Sequence, residues 1–334
     1  MHRTTLKDVG AHVGVSAKTV SNVVNGTGWV TEAVAARVRD ALLELRYRPN
    51  LTARQLRSGR SGMIALAIPQ LGQPYFAELA SELVRAAHEI GVTVLIQQTD
   101  GDPVAERRIL DGDTAPAVDG LILSPLTLQA ADLTSRLDPT PLLLLGEQIG
   151  DTPLPHVSVD NTAAGQAATA HLIALGRRRI AAIGAQDSEP RRTADLRLIG
   201  YRRALESAGI PFDPRLVLPV SGYNRTDGSA AARALIDADL RPDAIFAFND
   251  LLALGAMHEL SVAGLLVPDD IAVVGFDDID EARFSTPSLT SVSPDIRSLA
   301  RTAIDLLLAD PPQPGTHTIA FTIAERDSAR GPRP

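Results

Sequence analysis

The residues best placed to act on a small molecule are polar side chains at the ends of apolar runs. Ser124 follows GLIL, Glu147 follows LLLL, Asn249 and Asp250 follow AIFAF, and Asp277 and Asp278 follow VVGF. Arg197 stands at the front of the helix expected after the loop DSEPRRTADL. Carboxylates, an amide and a guanidinium converging on one cleft suit a hydroxyl-rich ligand, whose groups call for bidentate donors and acceptors. The competing reading of a strand-end Asp or Asn is a helix N-cap, and it is preferred for Asp250 and Asp278. Nothing points to catalysis. GxGxxG, the P-loop, GxSxG and HExxH are all missing. The seven histidines are scattered without metal-ligand spacing. His88, His171 and His258 fall in expected helices as surface or packing residues. With no cysteine, disulfides and thiolate chemistry are excluded. The chain is therefore expected not to be an enzyme and to need no cofactor or metal.

A second set of polar residues lies in Thr5 to Asn25, TLKDVGAHVGVSAKTVSNVVN. Thr5 is a good N-cap, with Asp8 meeting the positive end of the helix. Leu6, Val9 and Val13 form one apolar stripe at helical spacing. A tight turn is expected at Gly14-Val15, and a second helix begins at Ser16 with Val20, Val23 and Val24 as its stripe. Its outward face carries Ala17, Lys18, Ser21, Asn22 and Asn25, which are short, polar or basic side chains able to reach base edges or phosphate oxygens.

These sites need elements to hold them. Thr31 is expected to cap a third helix with the stripe Val34, Val38, Leu42 and Leu45, and Trp29 just before it is expected to pack on this three-helix head. Pro49 stops that helix. NLTARQLRSGRSG reads as a basic linker with a short, marginal helix whose one face holds Ala53, Leu56 and Arg57. From MIALAIP onward, apolar runs alternate with amphipathic stretches, as in stacked βα units. Helices are expected at Phe76 to Ile90, near Pro103 to Leu110, near Ala130 to Leu137, up to Leu175, at Asp195 to Ala208, around Ser229 to Ile236, at Leu251 to Val262 and at Asp295 to Leu308. HTIAFTI is expected as a final strand. Two βα-rich halves imply two doubly wound lobes, with ligands at the carboxyl ends of their strands and between them.

Charge supports the division. The chain of 334 residues has a net charge of −8. Residues 1–60 hold ten Lys or Arg against four Asp or Glu, net +6, and the remainder is net −14. A basic head on an acidic body is the footprint of a protein that touches nucleic acid with one end. No run approaches the length of a membrane-spanning helix, and MHRTTLKDVG lacks a signal-peptide core, so a cytoplasmic protein is expected.

The chain resembles the LacI/GalR family of bacterial transcription regulators over nearly its whole length. TLKDVGAHVGVSAKTVSNVVNGTG and YRPNLTARQLRSGRSG are similar to the family's head and hinge. PYFAELASEL, TDGDP, VDGLILSP, SVDNTAAG, GRRRIAAIG, RLIGY, DAIFAFND and VPDDIAVVGFDD are similar to its effector-binding core. The resemblance implies a small all-α helix-turn-helix head on an α/β, two-lobed, periplasmic-binding-protein-like core of parallel doubly wound sheets. The implied division is 1–48 head, 49–61 hinge, 62–160 plus about 292–318 first lobe, 161–291 plus about 319–330 second lobe, and 331–334 tail. It implies a homodimer on a near-palindromic double-stranded DNA operator, with three chain crossings between the lobes. Ala17, Lys18 and Asn22 fall at base-choosing positions. Ser16, Thr19, Ser21, Asn25 and Thr31 fall among phosphate-contacting ones, and Thr5 joins the DNA-facing set. Asn50 to Arg57, including Ala53, is implied to fold on DNA and insert Leu56 in the minor groove, where wedging a base step costs on the order of a few kcal/mol.

For the effector, the resemblance carries over Tyr75, Phe76 and Ser124 on the first lobe, Arg191, Thr193, Arg197 and Tyr223 on the second, and Asn249 and Asp277 as hydrogen-bonding positions. Gln73 stands where many members have Asn. Gly146, beside Glu147, stands where some sugar-binding members have Asp. Asp277, Asn249 and Arg197 favour a sugar, while Arg191 with Thr193 also suits a purine-type corepressor. The end RDSARGPRP lacks the leucine-rich helix of family tetramers. A transport protein of the same core fold would not use residues 1–60, and a glycosidase would need a paired acid and base. The expected function is a DNA-binding repressor controlled by a small-molecule effector.

Overall fold

The computed structural model describes residues 4–47, 60–113, 118–146, 149, 152–186 and 192–330, the Arg192 side chain excepted. They form two compact units, 1–61 and 62–334.

In the first unit, α1 (Leu6–Val13), α2 (Ala17–Asn25) and α3 (Glu32–Glu44) bury Val9, Val13, Val20, Val38 and Ala41 against one another. Local chemistry sets the ends. Thr5 and Asp8 form a reciprocal capping box. Gly14, at φ 76°, closes α1 in the left-handed region that favours glycine. Ser16 caps α2 by accepting from the Thr19 N–H at 3.1 Å. Thr31 occupies the N-cap of α3, but its hydroxyl makes no capping bond. Trp29 departs from expectation: it is 88 % exposed. The valine stripes already close this small core, and the turn through Gly26 and Gly28, both at positive φ, carries the indole outside it.

The second unit contains two six-stranded sheets. The first holds β1 (Met63–Ile68), β2 (Thr93–Gln98), β3 (Leu121–Leu123), β4 (Leu142–Leu145), β5 (Pro155–Val159) and β11 (Gly315–Ile319) in the order β11-β5-β4-β3-β1-β2, all parallel. The second holds β6 (Ile180–Ala185), β7 (Val217–Pro219), β8 (Ala244–Ala247), β9 (Ala272–Phe276), β10 (Thr290–Pro294) and β12 (Phe321–Ala324) in the order β12-β10-β9-β8-β6-β7, with only the β10–β12 pair antiparallel. The central strands are apolar throughout because helices cover both faces.

On the first sheet lie α4 (Pro74–Glu89), α5 (Pro103–Leu110), α6 (Ala130–Thr134) and α12 (Ile296–Leu307). Leu79 and Leu83 of α4 meet Leu299, Ala303 and Ile304 of α12 over one face. The second sheet carries α7 (Asn161–Ala174), α8 (Arg192–Ser207), α9 (Arg225–Asp237), α10 (Asp250–Val262) and the short α11 (Asp280–Phe284). Helix α8 starts earlier than its apolar pattern indicates.

The chain passes between the sheets at Asp160, Asp295 and Ala320. The stretch read as one final strand is therefore two, one in each sheet, since Ala320 is where the backbone leaves the first sheet for the second. Strand β10 lies wholly in the second sheet, so the return toward the first falls at Asp295 rather than near residue 292.

The head's apolar centre is small and lacks spare contacts. Val20→Ala is expected to cost the head about 2 kcal/mol, enough to abolish DNA binding while the main thermal transition of the body stays in place. Calorimetry with a DNA-binding assay checks this; equal loss in both would refute it.

Candidate functional site

A cavity of about 510 Å³ opens between the carboxyl ends of the two sheets. Tyr75 and Phe76, at the start of α4, and Ser124, directly after β3, line its first-lobe side. Thr193 and Arg197 of α8, Tyr223 between β7 and α9, Asn249 after β8 and Asp277 after β9 line the other. The fold thus brings these eight expected residues to one cavity. Arg191 and Glu147 lie outside the described residues.

Arg197 is the organising group. Its Nε donates to Asn161 Oδ1 at 2.7 Å, and Nη1 donates to the Phe248 carbonyl. Nη2 stands 4.0 Å from Asp277 Oδ1. The guanidinium lies 3.4 Å over the centre of the Phe276 ring, in cation–π range. Asn161 reaches it because α7 and α8 run unusually close. A Cβ on Gly165 would meet the Arg197 carbonyl at 2.6 Å, and one on Gly200 the Thr162 carbonyl at 2.2 Å.

Asp277 has φ 109°, a conformation rare outside glycine that costs on the order of 1–3 kcal/mol and needs support from its surroundings. The Asp277 N–H donates to the Val292 carbonyl at 2.9 Å. Behind it, Asp250 accepts from Ser291 Oγ at 2.6 Å and from the Ile279 N–H at 2.9 Å. Asp278 accepts from Ser293 Oγ at 2.8 Å and pairs with Arg326. Asp250 and Asp278 are therefore not helix caps. Asp250 sits in the first turn of α10 and ties the loop after β9 to β10, and Asp278 fastens the same loop to the chain's last described segment. The cap of α10 is Asn249, whose Oδ1 accepts from the Leu252 N–H at 2.9 Å while Nδ2 donates to the Tyr223 carbonyl at 3.1 Å. One lone pair and one N–H of its amide remain for a ligand. Tyr223 likewise commits its hydroxyl, donating to the Gly184 carbonyl at 2.7 Å, so its ring is what it offers the cavity.

On the first-lobe side the rings of Tyr75 and Phe76 meet edge to face at 5.2 Å. The loop after Ser124 is held by Glu106, a buried carboxylate on α5. It accepts from the N–H groups of Leu126, Thr127 and Leu128 and from the Thr127 hydroxyl. Glu106 and Asn161 were not singled out from sequence, since only the packing of distant segments shows what they hold. Gly146 and Gln73, where the sequence departs from the family, both line the cavity. The Gly146 carbonyl accepts from buried His156, and Gln73 donates to Gln70 at 3.1 Å. Across the lobes, Glu78 of α4 accepts from the Asp280 N–H at 3.0 Å.

Burial pushes the Asp277 carboxyl up to about 7; the Arg197 charge opposes the shift and Glu78 adds to it. Asp250 is raised well above the ordinary carboxylate value, chiefly by burial and then by the Asp277 charge.

In the head, Lys18 is exposed and Ala17 and Asn22 are half-buried along α2. Asn22 lies against the Gly28 backbone, where an added Cβ would come 2.6 Å from its Nδ2. Ser16 and Thr19 share a hydroxyl hydrogen bond at 2.9 Å, and Asn25 donates to the Ser21 carbonyl at 2.8 Å. Thr5 is engaged with Asp8, and Thr31 is exposed. Asn50, Ala53, Leu56 and Arg57 lie outside the described residues.

The head and the two-sheet core together define a class, that of DNA-binding regulators with a ligand-binding body, and comparison with known proteins agrees. Residues 5–50 match the profile described as bacterial regulatory proteins, lacI family, and residues 169–329 match a periplasmic binding protein-like domain. The chain is 35% identical over 313 residues to the ribose operon repressor of Escherichia coli strain K12, covering 93% of this chain and 94% of that one. It superposes on the lac repressor dimer bound to operator and the anti-inducer ONPF with a TM-score of 0.86 at 27% identity, covering 98% and 100% of the two chains. On the transcriptional regulator CelR–cellobiose complex the TM-score is 0.70 at 31% identity, again covering 98% and 100%. The chain belongs to the lacI family of bacterial regulatory proteins. It is a DNA-binding transcription regulator rather than an enzyme. Among the described residues no helix is long and apolar enough to cross a membrane.

The raised Asp277 value has a signed consequence. The folded chain holds this proton up to about pH 7 and the unfolded chain releases it near 3.8, so the group's contribution to stability is present at low pH and is lost as pH rises through 7. Asp277→Asn removes the titration. Between about pH 5 and about pH 8 the wild-type melting temperature should fall relative to the variant's, and a gap that stays constant across that range would contradict the assignment.

Proposed function

We propose that this regulator is a cytoplasmic, homodimeric repressor whose operator affinity is set by a sugar bound in the cleft between its lobes. The observation that carries the reading is the joining of Asp277 and Arg197 to the aromatic edge of Tyr75 and Phe76 across one cavity of about 510 Å³. A sugar presents adjacent hydroxyls at its edge and C–H groups on its faces. The Asp277 carboxylate can accept from hydroxyls, and Arg197 keeps N–H donors beyond those used by Asn161 and Phe248. The rings of Tyr75, Phe76 and Tyr223 supply apolar walls, with Ser124 and Thr193 as further polar contacts. Asn249 contributes through the part of its amide that the cap leaves over. The cellobiose complex of a structural relative is consistent with a sugar in such a core.

At the other end, α2 enters the major groove. Lys18 and Asn22 choose bases, Ala17 offers a methyl contact, and Ser16, Thr19, Ser21, Asn25 and Thr31, with Thr5, hold phosphates. Asn50, Ala53, Leu56 and Arg57 form the minor-groove contact between the two bodies. The divisions at 48, 61, 160, 295 and 320 separate head, hinge and lobes. Ligand and operator act on one another because lobe orientation and hinge order are linked, a coupling of about 1–3 kcal/mol that is reciprocal.

The test is operator-fragment binding titrated with neutral sugars, phosphorylated sugars and nucleobases. A neutral sugar should weaken DNA binding about 5- to 150-fold at saturation, and Arg197→Ala should abolish that response while leaving ligand-free DNA binding in place. A response to a nucleobase alone would replace the sugar by a purine-type corepressor.

A further inference from the structure

The cavity between the lobes is longer than one sugar ring needs. In the second lobe it runs from Asp277, after β9, to Ser221, after β7, and in the first from Gly146, after β4, to Asp100, after β2. The sheet orders β9-β8-β6-β7 and β4-β3-β1-β2 put three strand spacings between the ends of each wall. That is a run of roughly 14 Å, of which a pyranose with its hydroxyls spans only about half. No side chain closes the β4 end, since an added Cβ on Gly146 would meet nothing within 4 Å. The volume agrees, because a single ring would leave most of about 510 Å³ to water.

The β2 end carries a surface of its own, away from the groups that pair with Arg197. Leu126 lines the cavity and is 45 % exposed although it is apolar. It lies against Gly101, where an added Cβ would come 3.2 Å from its Cδ1. Its loop is held from behind, since buried Glu106 accepts from the N–H groups of Leu126, Thr127 and Leu128. Asp100, beside Gly101, sits in the left-handed region at φ 55°, and its N–H donates to the Pro69 carbonyl at 2.8 Å. One of its carboxylate oxygens accepts from Gln98 Nε2 at 2.7 Å, and the other accepts no hydrogen bond among the described residues. An apolar platform beside a carboxylate with an open oxygen suits a second sugar, whose ring offers C–H groups to the one and a hydroxyl to the other. Both groups are held before any ligand arrives, so binding there orders little. The charge selects a neutral ligand. Among the described residues lining the cavity Arg197 is the sole cation, and it is already matched, while Asp100 places a carboxylate at the outer end.

We propose that the effector is a neutral disaccharide, with one ring on Arg197, Asp277 and Asn249 and the other lying on Leu126 and donating a hydroxyl to Asp100. The inference rests on the sugar reading of the cleft and adds to it the size and charge of the ligand.

The test is calorimetric titration of the full chain with glucose, galactose and xylose, with maltose, cellobiose, lactose, melibiose and xylobiose, and with glucose 6-phosphate. At least one disaccharide should bind about tenfold or more tightly than each of its component monosaccharides. Asp100→Asn, which the left-handed position tolerates, should cut that ratio about tenfold, and Leu126→Ala about fivefold. Arg197→Ala should weaken both kinds of sugar. Asp100 and Leu126 are exposed, so the melting of the body should stay in place in their variants. A monosaccharide that binds as tightly as every disaccharide containing it overturns the proposal, and so does a ratio that neither variant changes. Preference for glucose 6-phosphate over every neutral sugar overturns it as well. If no neutral sugar binds, the sugar reading of the cleft itself fails, and the proposal falls with it.

Discussion

A guanidinium buried at the end of a parallel sheet must be matched on every side, because an unpaired buried charge costs several kcal/mol. Arg197 is matched by an amide oxygen, a main-chain carbonyl, an aromatic face and a carboxylate, contributed by Asn161, Phe248, Phe276 and Asp277. These come from three separate segments of the second lobe, Phe276 and Asp277 being consecutive, so the position of each is tied to the others. Asp277 in turn holds a backbone conformation that only its neighbours can sustain, and Asp250, Ser291, Asp278 and Arg326 supply that support. The site is a small charged cluster inside an apolar lobe, and the loops around it are spent on keeping it satisfied.

Close backbone approach makes this possible. Helices α7 and α8 meet at Gly165 and Gly200, and α9 and α10 meet at Gly228 and Gly255, where an added Cβ would come within 2.0 to 2.1 Å of a carbonyl oxygen in the second pair. The glycines give up side-chain packing so that the polar ends of these helices converge. On the first lobe one carboxylate, Glu106, does comparable work by collecting four donors from a single loop. The lobes are not independent, since the chain crosses between them at Asp160, Asp295 and Ala320 and Glu78 reaches the Asp280 amide across the gap. The covalent connections between the lobes begin at the site itself: Asp160 precedes Asn161, and Asp295 follows the strand that steadies Asp277.

Much of this was legible in the residues. The head's caps and valine stripes specify its helices because each signal is local, and the apolar runs of the body specify buried parallel strands. Ser124, Asn249, Asp250, Asp277 and Asp278 stand just beyond strand ends as expected, yet the hydrogen-bonding tasks of Asp250 and Asp278 were not legible. Asn249 and Asp250 are adjacent in sequence and both plausible caps; the choice between them depends on which one faces Ser291, 41 residues beyond Asp250. Trp29 was expected to pack on the head, but the valine stripes close that core without it and leave it exposed. The final apolar run was read as one strand because alternation does not reveal that Ala320 sits between two sheets.

Sequence alone determined the kind of molecule: a basic helical head, an acidic α/β body, no catalytic signature, and a set of polar residues at strand ends. Those features depend on neighbours within a few residues, or on composition, and need no fold to be read. Tertiary structure decided which carboxylate faces the cavity and which is a strut, how Arg197 is paired, and which side chain of the head is left exposed. Each of these is a question of what stands opposite a given atom, and for a buried charge or an exposed indole the answer lies in segments that the sequence separates and only packing brings together.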